Sequence, residues 1–558
     1  RKGIYVCGAI QEPKDIPSSV MEASAAACEA EKALWKVRGS EAQSKTYPEE
    51  RPVSEQEPKI GVFVCNCGSN IGGIVDVPQV AKYARGLSNV EYVEDNLFTC
   101  SQDTQDKMKE IILEKGLNRI VVAACTPRTH EPLFQETLQD AGLNKYLFEM
   151  ANIRNHCSWV HSREKEQATE KAKDLVSMAV SRSRSVQALD QPTIGVNNNA
   201  MVIGGGVSGM SAALGLAEQG FHTYLVERSA DLGGNALYLS STWKGEDVQN
   251  GLQDMVKRVQ KNKLIDVYTN AELKEAAGFV GNFKTTITSD SGDVTLEHGA
   301  VIIATGGQEH KPNEYLYGQD ERVLTHLDLD SAMANKDQRI EKANTAVFVQ
   351  CVGSREPERP YCSKVCCTHS IKSAISMKKN NPEMQIYILY RDIRTYGQRE
   401  ELYQEARKLG IIFISDNVEK KPEVKKDGSE LNVRVKDHIL NQDLDISTDL
   451  IVLASAIIPR DNDTISGMFK LPLTEDNFFM EAHAKLRPVE FANEGLFVTG
   501  MAHYPKPLEE SISQAKAAAS RASVVLSKDE ITVEGIVSQV DEELCRGCGA
   551  CESGAGLR

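Results

Sequence analysis

Four cysteines, Cys351, Cys362, Cys366 and Cys367, fall within the stretch CVGSREPERPYCSKVCC. Thiols so grouped can form a disulfide, bind zinc, act as a redox pair or ligate an iron–sulfur cluster. Structural zinc usually takes two CxxC-like knuckles, which this stretch lacks. Cys366 and Cys367 are awkward together on one small ion because consecutive side chains point apart. A cubane several ångströms across offers separate corners, so a nonstandard [4Fe-4S] site is the favoured reading, with zinc left open. A disulfide from Cys362 to Cys366 or Cys367 also stays open, although no CxxC attacking pair is present.

At the far end, Cys545, Cys548 and Cys551 have ferredoxin-type CxxCxxC spacing. A bacterial-type site expects a fourth Cys four residues on, and Ala555 stands there. The sequence begins at Arg1 without Met and stops inside this motif, so both ends are expected to be incomplete. Cys65, Cys67, Cys100 and Cys125 are split between structural thiols and a redox or cluster role. Cys157, Cys7 and Cys28 are expected to be packing residues, and His130 a structural hydrogen-bonder.

A second chemistry-bearing run is AMVIGGGVSGM, a strand followed by Gly204, Gly206 and Gly209, with Glu227 closing the next strand. Gly204 permits the tight turn, Gly206 close approach of a pyrophosphate and Gly209 close helix packing, while the helix N-terminus favours the negative charge. Glu227 can accept from ribose hydroxyls. FAD is favoured over a nicotinamide: RSADLGGNA sets Gly233 and Gly234 just after the acid, VIIATGG returns Thr305 and Gly306 toward the cofactor, and GLFVTG supplies Gly500. All three resemble the two-dinucleotide-binding flavoprotein pattern. That pattern usually has an aspartate after the last glycine; Met501 stands here, so ribitol contacts are expected from His503 or backbone N–H groups. At NTAVFVQCVGSRE, where an inserted NAD(P) module would have its glycine loop, only Gly353 appears. This module is expected to have exchanged the nucleotide for something held by cysteine.

The elements that must position these groups belong to a chain of 558 residues, long enough for several domains. A net charge of −15 argues against nucleic acid as a partner. No apolar run is long enough to span a membrane and no signal peptide is evident, so cytoplasmic residence is expected and the fourteen cysteines point to metal or redox work. GIYVCGAIQEPKDIPSSVMEASAAACEAEKAL (3–34) matches 495–526 without a gap at twelve positions. Residues 1–35 are therefore read as a partial repeat of a flavin-domain strand–helix unit. A polar linker follows (36–58), then a small α/β domain (59–162), a helical connector (163–196) and the first part of the FAD domain (197–340). An inserted NAD(P)-domain-like module carrying the cluster cysteines (341–460), the second FAD part (461–530) and a truncated ferredoxin segment (531–558) complete the chain. The expected class is α/β: a thioredoxin-reductase-like, two-dinucleotide-binding flavoprotein fold with a small N-terminal α/β domain and a C-terminal ferredoxin-like segment.

CNCGSNIGGIVDV, AACTPRTHEPLF, VIGGGVSGMSAAL, CVGSRE with YCSKVCC, and FVTGMAHYPKPLEESISQAKAAA together resemble the flavin-bearing, HdrA-like subunit of heterodisulfide reductase and its relatives, over about residues 59–551. The resemblance implies FAD at Gly204, Gly206, Gly209 and Glu227, a [4Fe-4S] cluster at Cys351, Cys362, Cys366 and Cys367, and ferredoxin-type clusters at the C-terminus, one of them on Cys545, Cys548 and Cys551. It implies a homodimer within a complex with iron–sulfur subunits, electron partners such as hydrogenase, formate dehydrogenase or ferredoxin, and electron bifurcation at the flavin. Two departures stand out: many members carry a ferredoxin insertion that is missing between about 235 and 300, and the terminal repeat is additional. Lys364 and His369 are expected near the isoalloxazine. The competing functions are an independent pyridine nucleotide–disulfide oxidoreductase and a noncatalytic cluster-bearing scaffold.

Overall fold

The computed structural model describes residues 3–43, 45–53, 55–290, 292–538 and 540–549. The chain divides into two compact units, one formed by Glu41–Pro192 with Thr532–Cys548, the other by Thr193–Ile531 with the N-terminal residues up to Ser40.

In the smaller unit, β1 (Ile60–Cys65), β2 (Val90–Asn96), β3 (Arg119–Ala124) and β4 (Phe148–Asn152) form one parallel sheet in the order β2-β1-β3-β4. β1 and β3 are buried along their whole length, as continuous apolar runs such as IGVFVC require when helices seal both faces. Helices Val77–Ala84 and Lys165–Ser183 pack on one face, Gln102–Glu114 and Pro127–Asp140 on the other. Helix Lys165–Ser183, expected as a connector, is an integral layer: Ala168, Ala172, Val176 and Val180 are buried in its core. Part of the expected linker also belongs here, since Val53 enters the core and the Arg51 N–H donates to Gly142 O at 2.9 Å.

The larger unit runs through β5 (Ala200–Ile203), β6 (Thr223–Val226), β7 (Ile265–Tyr268), β8 (Ala300–Ile303), β9 (Val323–Thr325), β10 (Thr345–Val352), β11 (Gln385–Tyr390), β12 (Ile412–Ser415), β13 (Leu450–Ser455) and β14 (Leu496–Val498). They make two parallel five-stranded sheets, β14-β8-β5-β6-β7 and β9-β13-β10-β11-β12. Each sheet has its own three-stranded antiparallel meander, Glu272–His298 in the first and Glu423–Thr448 in the second. The chain passes from one module to the other and back through a paired ribbon, Gly307–Glu309 against Ile457–Pro459. One nucleotide-binding architecture is thus built twice, the second copy inserted into the first, as the sequence pattern leads one to expect.

The N-terminal fragment reproduces the turn and helix of its internal match. Helix Ile16–Leu34 occupies the same aligned positions as Leu508–Leu526, and Gly8 (φ 74°) turns as Gly500 (φ 71°) does. Gly8 N–H donates to the Glu22 carboxylate at 2.9 Å, and Gly500 N–H to Gln514 Oε1, the aligned residue, also at 2.9 Å. The strand is not reproduced: Ile4, Tyr5 and Val6 are extended and exposed outside any sheet, because the edge beside β8 is already taken by β14. Helix Ile16–Leu34 lies against Leu508–Leu526, with Lys516 paired to Glu29 at 2.7 Å and Ser520 donating to Glu31 at 3.1 Å. Cys28 is fully buried there and desolvation pushes its thiol up to about 12, consistent with a packing residue.

Gly215 fits this junction because a Cβ there would lie 3.0 Å from the Ala519 methyl and 3.4 Å from Cys28 Sγ. Gly215→Val should cost about 1–3 kcal/mol through overpacking. The check is a lower urea midpoint at unchanged slope, with Ile10→Ala, 86% exposed, as the neutral control.

Candidate functional site

The first parallel sheet ends in a cavity of about 530 Å³. β5 delivers Gly204 with φ 112°, where a Cβ would stand 2.3 Å from Ala304 O. A Cβ on Gly209 would lie 1.7 Å from Gly204 O, whereas Gly206 faces open space. The glycines at 204 and 209 are therefore imposed by backbone approach, and Gly206 leaves room for a ligand at the start of helix Val207–Ala217. Glu227, after β6, accepts from Gly205 N–H at 2.6 Å and Ser229 N–H at 2.8 Å, which fixes its carboxylate at the cavity rim. Gly204, Gly206, Glu227, Gly233, Gly234, Thr305 and Gly306 all line the cavity, while Gly209 and Gly500 sit behind its wall. Gly500 is held there with φ 71°, a Cβ being 2.4 Å from Ser208 Oγ.

His503 is not on this wall, contrary to the expected ribitol contact. Its ring is buried, with Nε2 2.8 Å from Glu481 and Nδ1 accepting from Gln514 Nε2 at 2.8 Å. Desolvation pulls it down to about 4, so the neutral ring donates to Glu481. Met501 itself lines the cavity, together with Lys506, which sequence reasoning missed. Lys506 is fully buried; its Nζ donates to Gly500 O at 2.6 Å and Tyr504 O at 3.1 Å, and desolvation holds its pKa well below the ordinary lysine value. The available signal was the Pro-Lys pair shared by both copies of the repeat, Pro13-Lys14 and Pro505-Lys506.

The opposite wall comes from the inserted module. Lys364, Thr368, His369 and Lys372 all line the cavity. His369 Nε2 is 3.2 Å from the buried Asp330 carboxylate, and its ring stacks on His326 at 4.3 Å. Lys364 pairs with Glu510. Lys372 donates to Ser241 O at 3.1 Å, and burial lowers its pKa.

Cys366 and Cys367 open the helix Cys366–Asn380 that carries His369 and Lys372. With Cys351 and Cys362 they stand at the carboxyl end of the second sheet, at the switch point between β10 and β13 where a nucleotide would ordinarily sit. The register of β10 against β13 shifts between Val349 and Val352, and Cys351 leaves the ladder with φ 59°. Cys366 Sγ reaches Ser455 O and Cys367 Sγ reaches Asp392 O, each at 3.6 Å, so the adjacent thiols diverge toward different strand ends. Lys364 N–H donates to Cys362 Sγ at 3.3 Å. Desolvation, reinforced by the neighbouring thiols, pushes Cys367 up to about 11 and raises Cys366; it also raises Cys351, against the pull of Arg355 and Arg391.

These residues fit a cluster better than one ion. Among the described residues no three His, Cys, Asp or Glu groups are arranged to hold a single metal ion. Ser455 Oγ and Arg391 Nε are buried donors without a hydrogen-bond partner, suited to acceptor sulfides. A nucleotide loop is not formed, because His310 fills the space over Gly353, where a Cβ would meet its ring at 2.6 Å.

The smaller unit brings Cys65, Cys67, Cys100 and Cys125 together from the ends of β1, β2 and β3. Desolvation raises Cys100 and Cys125, the other thiols add to it, and Arg154 opposes it. Arg154 Nη1 is 4.0 Å from Cys67 Sγ, with the guanidinium 4.8 Å over the Trp159 ring. Thr99 N–H donates to Cys65 Sγ at 3.4 Å, while its buried hydroxyl has no partner. Cys157, by contrast, is buried against Ala168 O at 3.0 Å as a structural thiol. Cys545 and Cys548 are exposed; Cys551 lies outside the described residues.

A family model described as pyridine nucleotide-disulphide oxidoreductase matches residues 198–478. An iron-sulfur subunit of the CoB–CoM heterodisulfide reductase of Methanopyrus kandleri, the second of its A-type chains, is 38% identical, the match covering 89% of this chain and 90% of that protein. The A-type chain of the H(2):CoB-CoM heterodisulfide,ferredoxin reductase of Methanothermobacter marburgensis is 35% identical, covering 90% of each. Among solved structures, T. acidophilum thioredoxin reductase is 16% identical with a TM-score of 0.42, covering 58% of this chain and 98% of that one.

Gly209→Val should abolish dinucleotide binding, since the new side chain collides with Gly204 O; at least a roughly tenfold fall in flavin per chain is expected from the visible absorbance of the purified protein. Burial holds the folded-state pKa of Lys506 below its unfolded value, so between those two values this group makes stability rise with pH. Lys506→Met should raise stability at pH 7 and flatten that slope by up to about 1.4 kcal/mol per pH unit, read from urea unfolding between pH 7 and 9.

Proposed function

Because the chain belongs to the HdrA-like family of heterodisulfide reductase subunits, we propose that it is the FAD- and iron–sulfur-dependent electron-transferring subunit of a multisubunit oxidoreductase, bifurcating electrons at its flavin. One observation carries the reading: a single helix, Cys366–Asn380, offers Cys366 and Cys367 to the thiol site and Thr368, His369 and Lys372 to the dinucleotide cavity. A flavin takes electrons in pairs and releases them singly, and clusters take one each, so adjacent sites join the two kinds of chemistry.

The chain's own residues would do the following. Gly204, Gly206 and the helix start at Val207 cradle the pyrophosphate, and Glu227 accepts from ribose hydroxyls. Gly233, Gly234, Thr305 and Gly306 let the backbone close on the cofactor. Lys506, whose hold on its proton burial weakens, stands on the cavity wall where its Nζ can exchange a proton. Asp330 orients His369 on the other side. Cys351, Cys362, Cys366 and Cys367 hold one [4Fe-4S] cluster. Cys65, Cys67, Cys100 and Cys125 hold a second redox centre, supported by the unpartnered Thr99 hydroxyl beside them. Cys545, Cys548 and Cys551 provide ligands for a further centre.

The partners proposed are iron–sulfur subunits of such a complex, with hydrogenase, formate dehydrogenase or ferredoxin exchanging electrons and the chain pairing as a homodimer. No helix among the described residues is long and apolar enough to cross a membrane; a cytoplasmic location is proposed with the rest. An independent disulfide reductase is disfavoured because helix Val207–Ala217 carries no cysteine and His310 occupies the nucleotide loop of the inserted module.

Anaerobic purification with flavin, iron and sulfide measured per chain tests the proposal, and flavin without iron would sink it. The double substitution Cys366→Ser/Cys367→Ser should remove about four irons per chain while FAD stays bound. Unchanged iron would show that these thiols hold no cluster.

A further inference from the structure

The four thiols of the smaller unit open onto a face poor in acids within an acidic chain. Around them run the segments that leave the four strand ends, residues 66–75, 97–102, 125–130 and 153–163, the third of which includes the first turn of helix Pro127–Asp140, and none contains Asp or Glu. They contain Arg128, Arg154 and Arg163, with His130, His156 and His161, in a protein whose formal charge is −15. The acids Asp76, Asp103, Glu131 and Glu164 border these segments, at the caps or within the first two turns of the adjoining helices. His161 is turned toward Glu164 and Lys171, and Arg154 toward Cys67, which leaves the exposed Arg128 and Arg163 as the outward cations.

The same segments expose large apolar side chains: Leu97 64%, Phe98 45%, Trp159 52% and Val160 62%. These are joined to the thiol site. Leu97 O accepts from Cys67 N–H at 3.0 Å, a Cβ on Gly68 would touch the Phe98 ring at 3.9 Å, and Trp159 lies under Arg154. Apolar surface beside a redox-capable group, with outward arginines at its edge, has the composition of a transient protein interface.

We propose that this face is the docking surface for an acidic protein that carries electrons one at a time. Aromatic and aliphatic contacts at Leu97, Phe98 and Trp159 would seat it, and Arg128 and Arg163 would steer it. The inference rests on the reading of Cys65, Cys67, Cys100 and Cys125 as a redox centre. In the exchange one electron passes between the carrier and that centre; one is oxidised and the other reduced by a single electron, and no bond or proton changes hands.

Calorimetric titration of the anaerobically purified full chain with an acidic [4Fe-4S] ferredoxin as probe tests the surface. Arg128→Glu/Arg163→Glu should weaken binding about tenfold at low salt with flavin and iron content unchanged. That difference should shrink as salt rises from about 0.1 M to about 1 M and screening shortens to about 3 Å. Phe98→Ala should weaken binding at both salt concentrations. Equal affinity for wild type and the charge-reversed variant overturns the proposal, as does binding to anionic phospholipid vesicles in place of the ferredoxin. Cys125→Ser separates the two readings: lost iron with unchanged ferredoxin affinity and no electron exchange supports both. Retained iron removes the redox centre and the electron-transfer half of the proposal with it.

Discussion

A parallel sheet whose two faces are sealed by helices can present chemistry only where its strands end. That constraint organises this chain three times over. The flavin-type cavity opens at the carboxyl ends of β5, β6 and β8, one thiol group at the ends of β10 and β13, the other at the ends of β1, β2 and β3. Strand interiors such as residues 60–64 and the buried run of β13 contribute only core. The reactive groups sit in the last residues of such a run, as Cys65 and Cys351 do, or in the first residues after it, where side chains have space.

Within the larger unit the constraint has a second effect. Inserting one nucleotide-binding module into another turns the carboxyl end of the second toward the cavity of the first. Helix Cys366–Asn380 then has thiols at its start and cavity-lining His369 and Lys372 within the next two turns. No long side chain has to reach across. The module that would have held a nucleotide is closed by His310 over Gly353, and its vacated strand ends carry cysteine.

Legibility in the sequence followed how local each requirement is. Gly204, Gly206, Gly209 and Glu227 could be read because strand, turn and helix are consecutive, and the need for glycine arises within six residues. The divergence of Cys366 and Cys367 could be argued from adjacency alone. Lys506 could not be read, because lysine is ordinarily solvated and only packing shows this one buried. His503 was misplaced for the converse reason: it lies three residues from Gly500 in sequence, yet its ring turns to Glu481. The convergence of Cys65, Cys67, Cys100 and Cys125 depends on the strand order β2-β1-β3-β4, which spacing does not encode. Residues 4–6 have the composition of a strand, but a strand needs a free sheet edge, and β14 holds the relevant one.

The 1.7 Å that would separate a Gly209 Cβ from Gly204 O limits what can be substituted there. A contact made by backbone has no substitute side chain to fall back on, so this corner of the cavity is frozen in its chemical identity. The far rim, where Met501 replaces the expected acid and Lys506 anchors itself on carbonyl oxygens, is built from side chains. The two ends of one cavity therefore differ in what a substitution meets: backbone atoms at the glycine corner, side-chain atoms at the far rim.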